Sequence, residues 1–267
     1  MPRPYHRLAQ YYDELFLSYR APLDSARERI LQRVLPGIRS ACDLACGTGT
    51  TALMLARRGI RVYAVDLSPQ MCRLTREKLQ RAKLPARVIH ADMRSFRLPQ
   101  PIDLVLCEFD AINHVPHKAD LRKVANAVQR ALLPGGYFFF DVNNARCFER
   151  FWTGTRWADK PNLGVLMRNN HSPRLDHAWT EIDIFVREGK HWQRHHERVD
   201  EVCWSPRQIR KALTEAGFDR IRAWDAASFW KGAPMRRGCR TIYLARKAKN
   251  IEGFHRKAGS TSAASLV

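Results

Sequence analysis

The sequence predicts an α/β fold built on a doubly wound, mostly parallel sheet, and three observations lead there. A glycine turn, Asp43-Leu44-Ala45-Cys46-Gly47-Thr48-Gly49, joins the apolar start of a strand (Ala41, Cys42) to a helical run from Thr50 to Arg58. Apolar strand-like runs then alternate with helical ones through the first half of the chain, as a parallel sheet requires. The acids Asp43, Asp66 and Asp92 fall at or near the ends of such runs, and open parallel sheets bind ligands outside the carboxyl ends of their strands.

In chain order, residues 1–38 read as an amphipathic helical cap. Tyr11-Tyr12-Asp13 and Leu15-Phe16 precede a second helix, Ser25 to Val34, which Pro36-Gly37 stops. The first strand runs into the glycine turn, where two residues without Cβ let the backbone approach a ligand. Gly59 to Leu67 is a turn glycine and a second strand carrying Asp66 near its end. Ser68-Pro69 then forms an N-cap with proline at the first helical position, opening a helix over Gln70 to Ala82. Arg87 to Met93 is a third strand and Ile102 to Cys107 a fourth; Pro134-Gly135-Gly136 turns into a fifth, Tyr137 to Val142.

About sixty residues then precede Ser205-Pro206, more than a plain crossover needs. Within them Thr180, Ile182, Ile184 and Val186 alternate with Glu181, Asp183 and Arg187, the pattern of a half-buried strand. Glu188-Gly189-Lys190 is a turn, and His191 to Trp204 runs back. The segment is expected to be an inserted antiparallel hairpin lying as a lid over the carboxyl end of the sheet. Ser205-Pro206 opens a helix to Ala216 with Gly217 as its cap, and Ile221 to Asp225 and Arg240 to Ala245 close the sheet. The expected organisation is one domain over 1–248, with the cap at 1–38 and the insertion at 143–205. A basic tail, 249–267, ends in Ser, Thr and Ala and is expected to be disordered.

A strand, a glycine turn, a helix and an acid at the end of the next strand form a nucleoside site. Gly47-x-Gly49-x-x-Ala52 satisfies the loosest dinucleotide pattern, which leaves a nicotinamide enzyme as one reading. In a dinucleotide site the helix N-terminus faces a pyrophosphate, and an anionic side chain just upstream is unwelcome. Asp43 lies four residues before Gly47, which suits a ligand carrying positive charge instead. S-adenosylmethionine has a sulfonium, an ammonium and no phosphate. Asp66 is placed to accept hydrogen bonds from its ribose hydroxyls.

The motifs Asp43 to Gly49, Val65-Asp66-Leu67-Ser68-Pro69-x-Met71, Ala91-Asp92-Met93 and Leu132-Leu133-Pro134-Gly135-Gly136 stand in order and at fixed spacing. With them the chain resembles the class I S-adenosylmethionine-dependent methyltransferases over roughly residues 1 to 247. The resemblance implies a Rossmann-like sheet of seven strands and S-adenosyl-L-methionine as cofactor. It implies that Ala45, Gly47 and Gly49 surround the methionine moiety, with Asp43 near its ammonium, partly through water. Asp66 would hold the ribose, Leu67 and Met71 would flank the adenine, and Asp92 and the Met93 amide would meet the adenine edge. Glu108 and Phe109 complete the implied donor site.

The charge and cysteines bound the remainder. A net charge of +20 raises the local concentration of polyanions, so nucleic acid remains a possible partner. The basic residues are spread from Arg3 to Lys257 and lie on helical faces such as Arg27, Arg29 and Arg33, which favours solvated faces. Seven cysteines show no paired or zinc-like spacing, and Cys42, Cys46 and Cys107 fall in strands or the turn; this is cytosolic usage, and a cytoplasmic location is expected. No apolar run reaches membrane-spanning length, so no membrane partner is expected. Oligomeric state is not legible. His191 and His195 would lie about 13 Å apart on a strand, too far to share one ion, and no metal site is assigned.

The acceptor is sought just after the fourth strand, in Cys107-Glu108-Phe109-Asp110-Ala111-Ile112-Asn113-His114-Val115. This lacks both the Asn/Asp-Pro-Pro-aromatic run of exocyclic base methylation and the Pro-Cys of base C5 methylation. Phe109, Ile112 and His114 resemble the Phe-x-x-Ile-x-His run of the small-molecule, amino-sugar type N-methyltransferases. Tyr12-Asp13 resembles their N-terminal Tyr-Asp. By that resemblance His114 stands by the acceptor amine and Tyr12 closes the site. The expected activity is methyl transfer to a small molecule, most plausibly at an amine nitrogen, without metal. RNA methylation and a non-catalytic donor-binding scaffold are the alternatives.

Overall fold

The computed structural model describes residues 5–229 and 236–249. The expected tail beyond Lys249, with Arg256 and Lys257, lies outside the described residues. Strands β1 (Ser40–Leu44), β2 (Arg61–Asp66), β3 (Ala86–His90), β4 (Ile102–Cys107), β5 (Leu132–Asn143), β10 (Arg222–Asp225) and β11 (Arg240–Arg246) form one sheet in the order β10-β11-β5-β4-β1-β2-β3. The five strands from β3 to β5 are mutually parallel, and β11 runs antiparallel to both β5 and β10. Helices α3 (Thr50–Arg57), α4 (Pro69–Arg81), α5 (Lys118–Ala131) and α7 (Pro206–Glu215) flank the sheet.

The central strands read as unbroken apolar runs because both of their faces are covered. Phe138, Phe139 and Phe140 show the consequence. Alternation sends Phe138 and Phe140 into one core, where their rings stack 4.5 Å apart and Phe140 stacks on Tyr243 at 5.0 Å. Phe139 enters the other core beside Leu104 and Ile242. Helix starts follow the local signals. Ser68 Oγ accepts from the Met71 amide ahead of α4, and Ser205 forms a reciprocal capping box with Gln208 ahead of α7. Gly217, at φ +91°, follows the end of α7 where a left-handed residue is needed.

Two expectations need correction. The insertion is a four-stranded antiparallel sheet rather than a hairpin: β6 (Gly154–Lys160), β7 (Leu163–Ser172), β8 (His177–Glu188) and β9 (His191–Val202), preceded by α6 (Ala145–Phe151). The hairpin is β8–β9, turning at Gly189. The other two strands escape a period-two reading. β6 is an almost wholly exposed edge, and β7 begins Leu-Gly-Val-Leu-Met, where apolar residues do not alternate with polar ones. The cap is also more broken than expected. Short helical turns lead through α1 (Tyr12–Phe16) to α2 (Ala21–Leu31), which starts four residues before Ser25. Pro22 sits in its first turn, where a missing N–H costs nothing.

The cap and the inserted sheet hold each other. Leu8 packs with Leu163, Val165, Ile182, Ile184 and Val199, and the buried Glu197 carboxylate accepts from the backbone amides of Arg7 and Leu8. All seven cysteines are buried free thiols. Among the described residues, no helix is long and apolar enough to cross a membrane.

Candidate active site

A cavity of about 690 Å³ opens at the carboxyl ends of β1, β2 and β4, between the cap and β9. The glycine turn builds its floor. Ala45 and Gly47 both adopt positive φ (57° and 55°), and the space where a Gly47 Cβ would stand is empty to 4 Å. Gly49 does different work and is not on the cavity wall. At φ +80° it precedes α3, and a Cβ there would lie 2.6 Å from Thr75 Cγ2 on α4. Gly49→Ala is therefore expected to destabilise the protein by about 2 kcal/mol through strain and overpacking, measurable by denaturant unfolding.

Asp66 ends β2 at the cavity wall. Its two oxygens accept from the amides of Gly47 and Ser68, each at 2.8 Å, so the carboxylate is locked in one orientation. Burial pushes its pKa up, and those amide donors work against the rise. Each oxygen keeps a further lone-pair direction for a donor in the cavity, as a ribose diol supplies. Asp66→Ala is expected to weaken S-adenosylmethionine binding about 100-fold by calorimetry, since two charge-assisted hydrogen bonds are lost; unchanged affinity would remove Asp66 from the donor site.

Asp43 departs from its expected place. It is buried beneath the start of α3, accepts from the Ala52 amide at 2.8 Å, and does not line the cavity. Burial, with Glu108 nearby, pushes its carboxyl up to about 7, against the pull of Arg20, the Ala52 amide and Arg27. The native state thus keeps a proton that the unfolded chain releases near pH 4, and stability from this group falls as pH rises from about 4 to about 7. Asp43→Asn keeps an acceptor for Ala52 and is expected to flatten that fall, read from unfolding curves across the window.

Leu67, Met71, Asp92, Met93, Glu108 and Phe109 all line the cavity. Leu67 is 59% exposed, an apolar side chain held open beside the buried Met71, as a flat aromatic ligand needs. Asp92 has a partner that the sequence did not reveal. Arg94 Nε spans both of its oxygens at 3.0 and 2.9 Å and holds the carboxyl below its ordinary range. Glu108 is likewise engaged: Arg27 Nη1 lies 2.9 Å from both of its oxygens, and Thr51 donates at 2.7 Å. Its carboxyl is lowered despite full burial, chiefly by Arg27 and then Arg20. Both acids act on the cavity shape through these pairs.

Phe109 and Asp110 are consecutive residues at positive φ (64° and 56°) just after β4. Such backbone costs about 1–3 kcal/mol per residue and persists only when over-determined. Here the Asp141 carboxylate accepts from the Phe109 amide at 2.7 Å and the Asp110 amide at 3.0 Å. The guanidiniums of Arg20 and Arg240 lie 5.8 and 5.6 Å from the Phe109 ring centre. The turn leads to His114, whose loop is tied down by buried Asn113: its Nδ2 donates to the carbonyls of Asn143 and Val202, and its Oδ1 accepts from the Asn143 amide.

Tyr12 and His114 meet at the cavity, bridged by Tyr5. The Tyr5 ring is 5.9 Å from each, edge-on, and its hydroxyl lies 3.3 Å from His114 Nε2. His114 Nδ1 lies 3.0 Å from the Asp200 carbonyl oxygen, which can only accept. Nδ1 therefore carries the proton, and in a neutral ring Nε2 accepts from the Tyr5 hydroxyl at the cavity wall. The lid histidines stay apart from this site; His196 lies between Asp183 and Glu181 on the insertion.

Tyr5, Arg20, Asp141, Asn113 and Arg240 are site residues that sequence reasoning missed. Tyr5 belongs to no periodic run, and the others act across 30 or more residues of chain. Only the Asn113 side chain, between Ile112 and His114, stood inside a motif already singled out.

Five carboxylates (Asp13, Asp66, Asp92, Glu108, Asp200) and two guanidiniums (Arg20, Arg94) line the cavity among the described residues. Four of these carboxylates are paired with cations, Asp13 with Lys78, Asp92 with Arg94, Glu108 with Arg27 and Asp200 with Arg198, and Asp66 alone has no ion-pair partner among the described residues. A cationic nucleoside suits the unpaired Asp66 carboxylate and the open Gly47 flank better than a pyrophosphate does.

Comparison with known proteins agrees. The sequence family described as "Methyltransferase domain" matches residues 41–136. A protein of Bacillus subtilis (strain 168) that bears a provisional methyltransferase name is 26% identical over 249 residues, covering 92% of this chain and 98% of that one. The dTDP-3-amino-3,6-dideoxy-alpha-D-glucopyranose N,N-dimethyltransferase of Streptomyces fradiae is 29% identical over 213 residues, covering 78% of each. In fold, an S-adenosylmethionine-dependent methyltransferase from Clostridium acetobutylicum superposes with a TM-score of 0.77 at 24% identity, over 92% of this chain and 100% of that one. With the methyltransferase domain over residues 41–136 and the seven-stranded sheet, the chain is an S-adenosylmethionine-dependent methyltransferase, similar to the class I enzymes and among them to the amino-sugar N-methyltransferases.

Proposed function

We propose that the chain methylates an amine nitrogen of a small molecule, with His114 receiving the proton that the nitrogen loses. The observation that carries this reading is the orientation of His114: Nδ1 held by the Asp200 carbonyl, Nε2 turned to the cavity beside Tyr5. Bound S-adenosylmethionine supplies an electrophilic methyl group on a sulfonium. The protein's share is then alignment and proton transfer. Asp66 and the Gly47 turn hold the donor end, and the strained Phe109–Asp110 turn sets the path toward His114. Tyr5 and Tyr12 cover the cavity and exclude water. The amino-sugar relative supports an amine acceptor.

The RNA reading draws its support from the +20 charge. Transfer of labelled methyl into a cell extract split into small-molecule and RNA fractions separates the two. Label in the small-molecule fraction is expected. Label in RNA, with activity falling steeply as salt rises, would overturn the proposal.

A further inference from the structure

Behind His114 lies a second group of side chains that donor binding does not use. Asp110, His114 and Glu201 each place one polar atom within 4.8 Å of the others. Glu201 projects from β9 on the inward side shared with Val199 and is 5% exposed. Its Oε2 has no hydrogen-bond partner, a costly state for a buried carboxylate.

The donors nearby are already spent. Arg240 places Nη2 3.0 Å from Asp110 Oδ1 and Nη1 2.6 Å from Asp141 Oδ2. Asn143 Nδ2 lies 3.0 Å from Asp110 Oδ2. Arg240 thus pairs with Asp110 and Asp141 and makes no ion pair with Glu201. Two carboxylates with oxygens within 4.8 Å of each other, one of them buried without a cation, are disfavoured from both ionising, and one proton between them relieves the repulsion.

We infer that Asp110 and Glu201 share a single proton and present one net negative charge to His114, acting through it as a positioning pair for the proton transfer. The pair rests on the reading of His114 as proton acceptor. As the nitrogen–methyl bond forms, the donor's methyl–sulfur bond would break with its electron pair left on sulfur; the acceptor N–H bond breaks, its electron pair stays on nitrogen and the proton passes to His114 Nε2. The ring then carries a positive charge, with Nδ1–H still on the Asp200 carbonyl. The negative charge of the pair balances it.

Burial, followed by the Asp110 charge, holds the Glu201 carboxyl well above the ordinary glutamate range. The other titratable groups facing the pair are Tyr5 and Tyr12 from the cap, Cys147 from α6, Asp141 from β5 and Arg240 from β11. Tyrosines and cysteine held neutral by burial leave Arg240 and Asp141 as the fixed charges. A divalent ion would compete poorly here, because a guanidinium and an amide already take both oxygens of Asp110.

The test is infrared spectroscopy of protein carrying isotope-labelled glutamate, near pH 7 and without acceptor. One protonated glutamic acid band is expected, absent in Glu201→Gln and titrating at lower pH in Asp110→Asn. Asparagine tolerates the left-handed backbone at position 110, so that variant is expected to fold. In the Asp110→Asn/Glu201→Gln double variant the acid limb of the kcat/KM profile is expected to move down by about one pH unit, because a nearby negative charge is gone. A Glu201 band that is ionised at pH 7, or indifferent to Asp110, would overturn the inference. So would an unmoved acid limb in a double variant of unchanged melting temperature. Stoichiometric Zn²⁺ or Mg²⁺ binding by calorimetry, lost in the double variant, would make the group a metal site instead. The infrared band reads the pair whether or not His114 is the base, so failure of the His114 reading is seen separately in His114→Ala.

Discussion

His114→Ala is expected to lower kcat for methyl transfer by about 10²–10⁴-fold, the range for loss of a positioned proton acceptor. Affinity for S-adenosylmethionine is expected to stay near that of the native protein, because Asp66, Gly47 and Leu67 are untouched. The measurement is single-turnover transfer at saturating donor, alongside donor binding by calorimetry. The two readouts separate chemistry from folding. A variant that binds donor normally and transfers methyl at the native rate would show that alignment alone suffices and that His114 is a loop anchor on Asp200. A variant that loses donor binding would show that the loop, rather than the ring, was disturbed.

Arg240→Met is expected to destabilise the protein by about 3–5 kcal/mol, the cost of leaving a buried carboxylate partner uncompensated. Asp141 is 1% exposed at its side chain and Asp110 14%, and Arg240 pairs with both. Burial already pushes the Asp141 carboxyl up to about 6 even with Arg240 in place. Without the guanidinium it would rise further. A native pKa above the unfolded one means that stability is lost as pH rises through that interval. The deficit of Arg240→Met is therefore expected to be smaller in mild acid than at neutral pH. Chemical unfolding of the two proteins near pH 5 and pH 7.5 checks this, and Asp141→Asn in the Arg240→Met background is expected to restore part of the loss. A deficit independent of pH would mean that lost packing, rather than the stranded carboxylates, carries the cost. Donor-dependent activity is expected to fall as well, because Asp141 holds the Phe109–Asp110 turn.

The two predictions lie on opposite sides of what the chain discloses. His114 was singled out by a resemblance, the Phe109, Ile112 and His114 run behind the fourth strand, and the structure lines the cavity with it. Asp66 and Gly47 were readable from the strand-turn-helix pattern itself, Leu67 and Met71 from the motif resemblance, and all four line the cavity. Arg240 gave no such signal. It is one of many arginines, and its partners Asp110 and Asp141 lie about a hundred residues or more away in the chain.

The glycine turn shows the same limit within a single motif. Gly47 and Gly49 look equivalent in sequence, yet one faces the cavity and the other accommodates Thr75 on α4. Asp43 and Asp66 both close strands, but one is folded under α3 and the other stands at the cavity wall. The insertion divides likewise. The hairpin β8–β9 alternates and was readable, whereas β6 is stabilised by its pairing with β7 rather than by any pattern of its own.

By itself, then, the sequence determined the parallel sheet, its helices and the glycine turn at the carboxyl-end cavity, because hydrophobic period, capping and glycine placement act over a few residues. Tertiary structure alone decided which acids face the ligand and which are neutralised by arginines from distant strands. It also decided how Tyr5 and Glu201 converge on His114. Burial and charge pairing depend on what lies across the fold, and no local pattern records that.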